Sequence, residues 1–279
     1  MVPKGYTHKQ KGEIKIMKKF LAVVMAMALS LAFVGCGAEE SEAPVEPSEE
    51  VSAEAPVEGE EAEVPAEGEA EEVKVMTHEE FMAAEVDSEV TVETYVQAKQ
   101  GWWTDGETGV SQATFYTQAE DGAYFLYNMA CSEEDYAKLT EGAKIRVTGT
   151  KAEWAGEVEI VDAKFEILEG NFVAEAFDAT ELLGTEELIA HQNEKVLFNG
   201  LEVEKVEYKN ETQGEDIYVT FKSGDASYNF CVESYLTGAD TDLYKAVEAL
   251  KAGDVVDVEG FLYWYEGVNT HITGVTLHA

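Results

Sequence analysis

Arginine is almost missing from this chain. Arg146 is the only one in 279 residues, and 19 Lys+Arg in all face 57 Asp+Glu, for a formal net charge of -38. A phosphate-binding surface needs clustered Arg and Lys to release counterions, so this scarcity argues against nucleic acid as a partner. Residues 73–279 keep 41 acidic against 13 basic residues, so the excess is not confined to one tail. Such charge keeps a chain soluble and repels anionic surfaces. It favours cationic ligands, neutral sugars or metal ions, while most of the carboxylates read as a solvated face. Cysteine is scarce too, with three residues. A disulfide needs Cα atoms within about 7 Å, and nothing in the sequence brings Cys131 and Cys231 together, so they read as small unpaired core residues. No apolar run reaches the roughly 20 residues of a spanning helix. Proline is absent after Pro65.

Catalytic and metal signatures are also lacking. No Ser or Cys sits in a nucleophile elbow. His78, His191, His271 and His278 match no zinc spacing and read as ordinary exposed or edge histidines. Asp105-Gly106-Glu107 and Asp240-Thr241-Asp242 complete no EF-hand loop. With so many acids, some carboxylate pair meets the glycosidase spacing by chance, so that signal is empty. The expectation is a protein with no catalytic residue, no metal site and no cofactor.

What is present begins with an export pattern. Lys18-Lys19, the apolar stretch Phe20–Val34 and Gly35-Cys36 have the three-part layout of a secretory signal. The segment resembles bacterial lipoprotein signals, whose first mature residue is a lipidated cysteine. The resemblance implies a signal peptide over 17–35, lipidation at Cys36 and anchoring on the outer face of the cell membrane. Residues 1–16 fit no signal. Lys11-Gly12-Glu13 is the translation of a purine-rich ribosome-binding stretch before Met17, so 1–16 reads as a misassigned start. From 36 to 72 the chain is mostly Glu, Ala, Pro, Val and Gly with a few serines and without one aromatic. It cannot bury enough apolar surface to offset its ordering entropy and reads as an acidic disordered tether.

From Val73 the sequence repeats itself. Leu139-Thr-Glu-Gly142-Ala-Lys-Ile145-Arg-Val147-Thr-Gly149 lies over Leu250-Lys-Ala-Gly253-Asp-Val-Val256-Asp-Val258-Glu-Gly260 without a gap. Trp154-Ala-Gly156 then lies over Tyr265-Glu-Gly267. A period of about 100 residues is a duplicated domain rather than a solenoid, with boundaries read at 73–169 and 170–279. Each copy gives a short helix, three strands, a helix and two strands. Thr77-His-Glu-Glu80 is a capping box, and Ser132 and Asp240 or Thr241 open the second helices. This order resembles the OB-fold, a five-stranded Greek-key barrel. The chain thus resembles tandem OB-type bacterial lipoproteins, an uncharacterised exported family, and the fold class expected is mainly β with two OB-like barrels carrying short helices.

OB-folds usually hold ligand across strands two and three. That places Trp102, Trp103, Trp154, Tyr116 and Tyr124 at the site in copy one, and Trp264 and Tyr265 in copy two. Aromatic faces stack on flat rings or hold cations, although tryptophans in small barrels also plug the core. The expected function is therefore non-catalytic binding of a sugar polymer, peptide or small cationic ligand at the cell surface. A protein–protein scaffold of the cell envelope is the alternative, and oligonucleotide binding or an enzyme ranks lower.

Overall fold

The computed structural model describes residues 74–278. The proposed start, the signal, Cys36 and the tether lie outside the described residues. The first sheet contains β1 (Glu89–Lys99), β2 (Trp103–Thr104), β3 (Ser111–Ala119), β4 (Gly122–Ala130), β5 (Ala143–Trp154) and β6 (Glu157–Asn171). Five of its strands close on themselves in the order β1-β5-β6-β4-β3, with β3 pairing back to β1. Every pairing is antiparallel except β4 with β6. This is the OB-like barrel in its connectivity. Helix α1 (His78–Ala83) starts at the Thr77 capping box, as expected, and α2 (Glu133–Lys138) is capped by Ser132 between the third and fourth barrel strands.

The second sheet repeats the order. Short β7 (Phe177–Asp178) and two 3-10 turns lead into β8 (Lys195–Tyr208), β9 (Ile217–Ser223) and β10 (Ala226–Val232). Helices α3 (Ser234–Thr237) and α4 (Asp242–Glu248, capped by Thr241) precede β11 (Val255–Phe261) and β12 (His271–Leu277). The pairings run β8-β9-β10-β12-β11 and back to β8. Here the parallel edge between β10 and β12 is one residue pair, Cys231 with His271. The segment expected as a helix near Thr185 to His191 is a 3-10 turn over Glu186–His191.

The repeated glycines Gly149 and Gly260 sit at matching irregularities, where the register shifts between the fourth and fifth barrel strands. A Cβ on Gly149 would lie 2.7 Å from Ile160, and one on Gly260 would lie 2.4 Å from the His271 carbonyl oxygen. Only glycine admits so close a backbone approach.

Alternation in the strands is incomplete, and this reveals the packing. Residues Ala113 to Thr117 of β3 are all buried, as are Gly122 to Leu126 of β4. One face of each strand fills the first barrel with Phe115, Tyr124 and Leu126. The other face carries Tyr116 and Phe125 outward onto Phe261 of the second barrel. Tyr116 stacks on Phe261 at a centroid distance of 4.6 Å. Each aromatic side chain removed from water contributes about 1.5–3 kcal/mol, so this small interface is a core in its own right. Backbone and side-chain bonds reinforce it, including Trp264 N–H to Glu157 Oε2 (2.9 Å), Val158 N–H to Gln192 Oε1 (3.0 Å) and Lys195 N–H to Gln118 Oε1 (2.9 Å).

Candidate functional site

The two barrels meet beside a cleft of about 640 Å³. Its first wall is built by the chain leaving β1 (Gln100, Gly101), by Trp102 and Trp103, and by Phe125, Tyr127 and Asn128 of β4. Asn128 takes positive φ at a register shift between β3 and β4, where its backbone N–H donates to Thr114 Oγ1. Phe125 and Tyr127 lie two residues apart and therefore share the outer face of β4. The opposite wall comes from the second barrel, with Glu233 and Tyr235 at α3, Tyr263 in the loop after β11, and His271 at the start of β12. Gly101 N–H donates to the Tyr235 carbonyl across the junction (3.0 Å).

The floor is polar and largely desolvated. Gln100 Nε2 donates to Glu233 Oε2 at 2.7 Å. Tyr116 OH bonds His271 Nδ1, and that nitrogen lies 3.7 Å from Glu233 Oε2. Burial drives His271 down to about 4, so its ring is neutral at pH 7. Burial, with the Asp216 charge adding to it, raises Glu233 to about 7. Tyr263 is fixed in place, stacked on His271 (4.3 Å) and edge-on to Phe125 (5.3 Å). The rims are open: Tyr235 is 70% exposed, and Trp103 and Tyr127 are nearly half exposed. Among the described residues no Lys or Arg lines this cleft. No cluster of three metal-ligating side chains is present among them either.

The structure brings together some of the residues expected at the site and separates others. Trp102 and Trp103 line the cleft, Trp102 with its indole N–H on the Cys131 carbonyl. Tyr265 is exposed and lines a neighbouring cavity. Trp154 is 63% exposed at the tip of the β5–β6 hairpin and lines neither cavity. Trp264 is half-buried, packed on the second core and against Gly156 of that hairpin. Tyr116 and Tyr124 are corrected: both are fully buried, Tyr116 between the barrels and Tyr124 under Phe81 in the first core, so neither offers a face to a ligand. His271 is corrected as well, since it is a buried member of the floor rather than an edge residue. Cys131 and Cys231 are free and buried, and burial raises both thiols, Cys131 to about 11.

Gln100, Glu233, Tyr235 and Tyr263 were not anticipated. The available signal was the unbroken run Tyr124-Phe-Leu-Tyr127, because a strand buried on one face alternates. An outward Phe125 announces something packed outside the barrel.

No family model matches the chain, and no curated protein matches it in sequence. Solved structures do match. A murine DNA-binding protein bound with double-stranded DNA is 10% identical at a TM-score of 0.34, covering 68% of this chain and 96% of that one. The tetrameric p202 HIN2 domain is 12% identical at 0.31, covering 70% and 96%. A replication protein A heterotrimer bound to single-stranded DNA is 12% identical at 0.29, covering 68% and 49%. At these values the likeness is one of fold alone. Several of these structures are bound to DNA, which stands against two expectations from the sequence: that nucleic acid is no partner, and that a sugar, peptide or small-cation binder, or a scaffold, ranks above an oligonucleotide binder.

Proposed function

We propose that the chain is an exported, lipid-anchored, non-catalytic protein that binds single-stranded nucleic acid, or fragments of it, by its bases. The observation that carries this reading is the inter-barrel cleft itself. Trp103, Tyr127, Tyr235 and Tyr263 supply flat faces, and Gln100, Asn128 and Glu233 supply amide and carboxyl groups for a base edge. Single strands are recognised in this way, by bases splayed onto aromatic side chains and hydrogen-bonded along their edges. The charge of the chain opposes phosphate contact, so in this mode the phosphates point to solvent and stacking, which requires no cation, supplies the affinity. The Lys18–Cys36 segment supports the export and anchor.

The test is a tryptophan-fluorescence titration of the full chain with single-stranded hexanucleotides of each base. The expected result is saturable quenching, weakened about tenfold or more by Trp103→Ala, since one base stacked on an aromatic is worth roughly 1–3 kcal/mol. No response to any base composition overturns the reading. Labelling cells with a radioactive fatty acid tests the anchor: label should enter the chain and disappear in Cys36→Ser.

A further inference from the structure

We infer that the cleft is one half of a longer groove with two base-sized subsites, so that its ligand is a pair of consecutive nucleotides rather than a single base. This rests on the proposed base-binding role and concerns what the groove selects within it. A second cavity of about 540 Å³ adjoins the first, and Glu233, Tyr263 and His271 line both spaces. Each volume falls within the range of small-molecule sites. Each space also has its own rings: Trp103, Tyr127 and Tyr235 in the first, Tyr218 and Tyr265 in the second.

Tyr263 is held between His271 and Phe125, and its backbone carbonyl receives Asn269 N–H at 2.9 Å. An aromatic wedge between two cavities suits two neighbouring bases that leave a common backbone unit on opposite sides. Glu233 faces both. It is held by the Gln100 amide, which donates to Oε2. The second cavity attracts no phosphate. The lysine beside it, Lys209, is held by Asp216 Oδ2 at 2.8 Å, and the Glu207 carboxylate stands on its rim. Asn229 and Asn269 supply further polar edges there.

The experiment is calorimetric titration of the full chain with cytidine and with the dinucleoside monophosphate CpC, repeated with adenosine and ApA. The variants are Trp103→Ala and Tyr265→Ala, two exposed residues that the folded core does not need. The expected result is that each dinucleoside monophosphate binds at least tenfold more tightly than its nucleoside. Tyr265→Ala should abolish that advantage, while Trp103→Ala should weaken nucleoside and dinucleotide alike. Equal affinity for nucleoside and dinucleotide, or an advantage that survives Tyr265→Ala, overturns the second subsite and leaves the first standing. Failure of all four ligands to bind removes the base-binding role and this inference together.

Discussion

Glu157 is a carboxyl group withdrawn from water. It opens β6, is fully buried at the junction, and accepts from Trp264 N–H with Oε2. Its Oε1 has no partner, and neither has Oδ1 of Asn193, whose side chain lies against the same carboxyl. The Asn193 side chain and the Trp264 N–H favour the ionised carboxyl, and burial outweighs both. Burial raises Glu157 to about 8, against 4.5 for a free glutamate. Between those values the folded state keeps a proton that the unfolded state has lost, so stability falls as pH rises. Glu159 and Glu233, both raised to about 7 by burial, act in the same sense. The lowered histidines His78 and His271 oppose this only below their ordinary value of 6.5. The net fall is therefore expected between pH 6.5 and 8, with about 2 kcal/mol from Glu157 alone. Urea denaturation at both pH values checks it, and Glu157→Gln should flatten the fall while keeping a donor for Asn193. An unchanged slope would assign the effect elsewhere. Lys151 is the converse case, a buried cation without an acid. Its Nζ donates to the carbonyls of Phe81, Met82 and Ala84 at 2.8–3.0 Å, closing the C-terminal end of α1. Lys151→Met should cost about 2–3 kcal/mol, because bonds to a charged donor are among the stronger ones and the carbonyls of Phe81, Met82 and Ala84 lose this cation, Phe81 keeping only Ala84 N–H at 3.2 Å. The same denaturation measures it.

At the scale of elements, the glycines of the repeat are the firmest link between sequence and fold. Gly260→Ala places a methyl group against the His271 carbonyl and Thr270, so β12 must move. A loss of about 1–3 kcal/mol is expected from overpacking, together with weaker hexanucleotide binding, because β12 positions His271. Gly101→Ala, with nothing within 4 Å of the added carbon, should leave the melting temperature unchanged. The same glycines, with the caps Thr77, Ser132 and Thr241, made the OB-like order legible from residues alone, because bulges and caps are local. The end of the second copy was legible only in part. The match of Trp154-Ala-Gly156 with Tyr265-Glu-Gly267 implied the same hairpin twice. The chain does turn there, with Trp264 and Val268 paired antiparallel across it, but β11 stops at Phe261 and the loop meets the first barrel, with Glu266 N–H on the Ala155 carbonyl and Trp264 over Gly156. A repeat alignment compares each copy with the other and carries no information on how the copies pack. For that reason Tyr116 read as a surface aromatic and His271 as an edge histidine, when both belong to the junction. Half of the candidate site, Trp102 and Trp103, was visible in the loop that follows β1. The facing half, Glu233, Tyr235 and Tyr263, lies 130 or more positions away and is assembled only by docking.

For the whole molecule, the charge and the proposed base binding together set an expectation opposite to that for most nucleic-acid binders. Affinity ordinarily falls with salt, because lysines and arginines on phosphates release counterions. Here the formal charge is -38, and the one arginine, Arg146, is engaged by Glu93 and Glu166 on β1 and β6. Lys144 is engaged by Glu93 as well, and Lys195 by Glu259. A strand approaching the cleft therefore meets net repulsion, and salt screens repulsion as it screens attraction, with a Debye length of about 10 Å at 0.1 M and 3 Å at 1 M. Hexanucleotide affinity should rise between 0.05 and 0.5 M NaCl, whereas nucleoside affinity, with no phosphate to repel, should stay flat over the same range. The contrast between the two ligands is the decisive part. Salt also relieves the self-repulsion of the fold, and any gain from that source would lift both ligands equally. Fluorescence titrations across the salt series separate the two causes. A hexanucleotide affinity that falls with salt would mean that phosphates are held by cations, and the ligand would then lie on another surface than the cleft between the barrels.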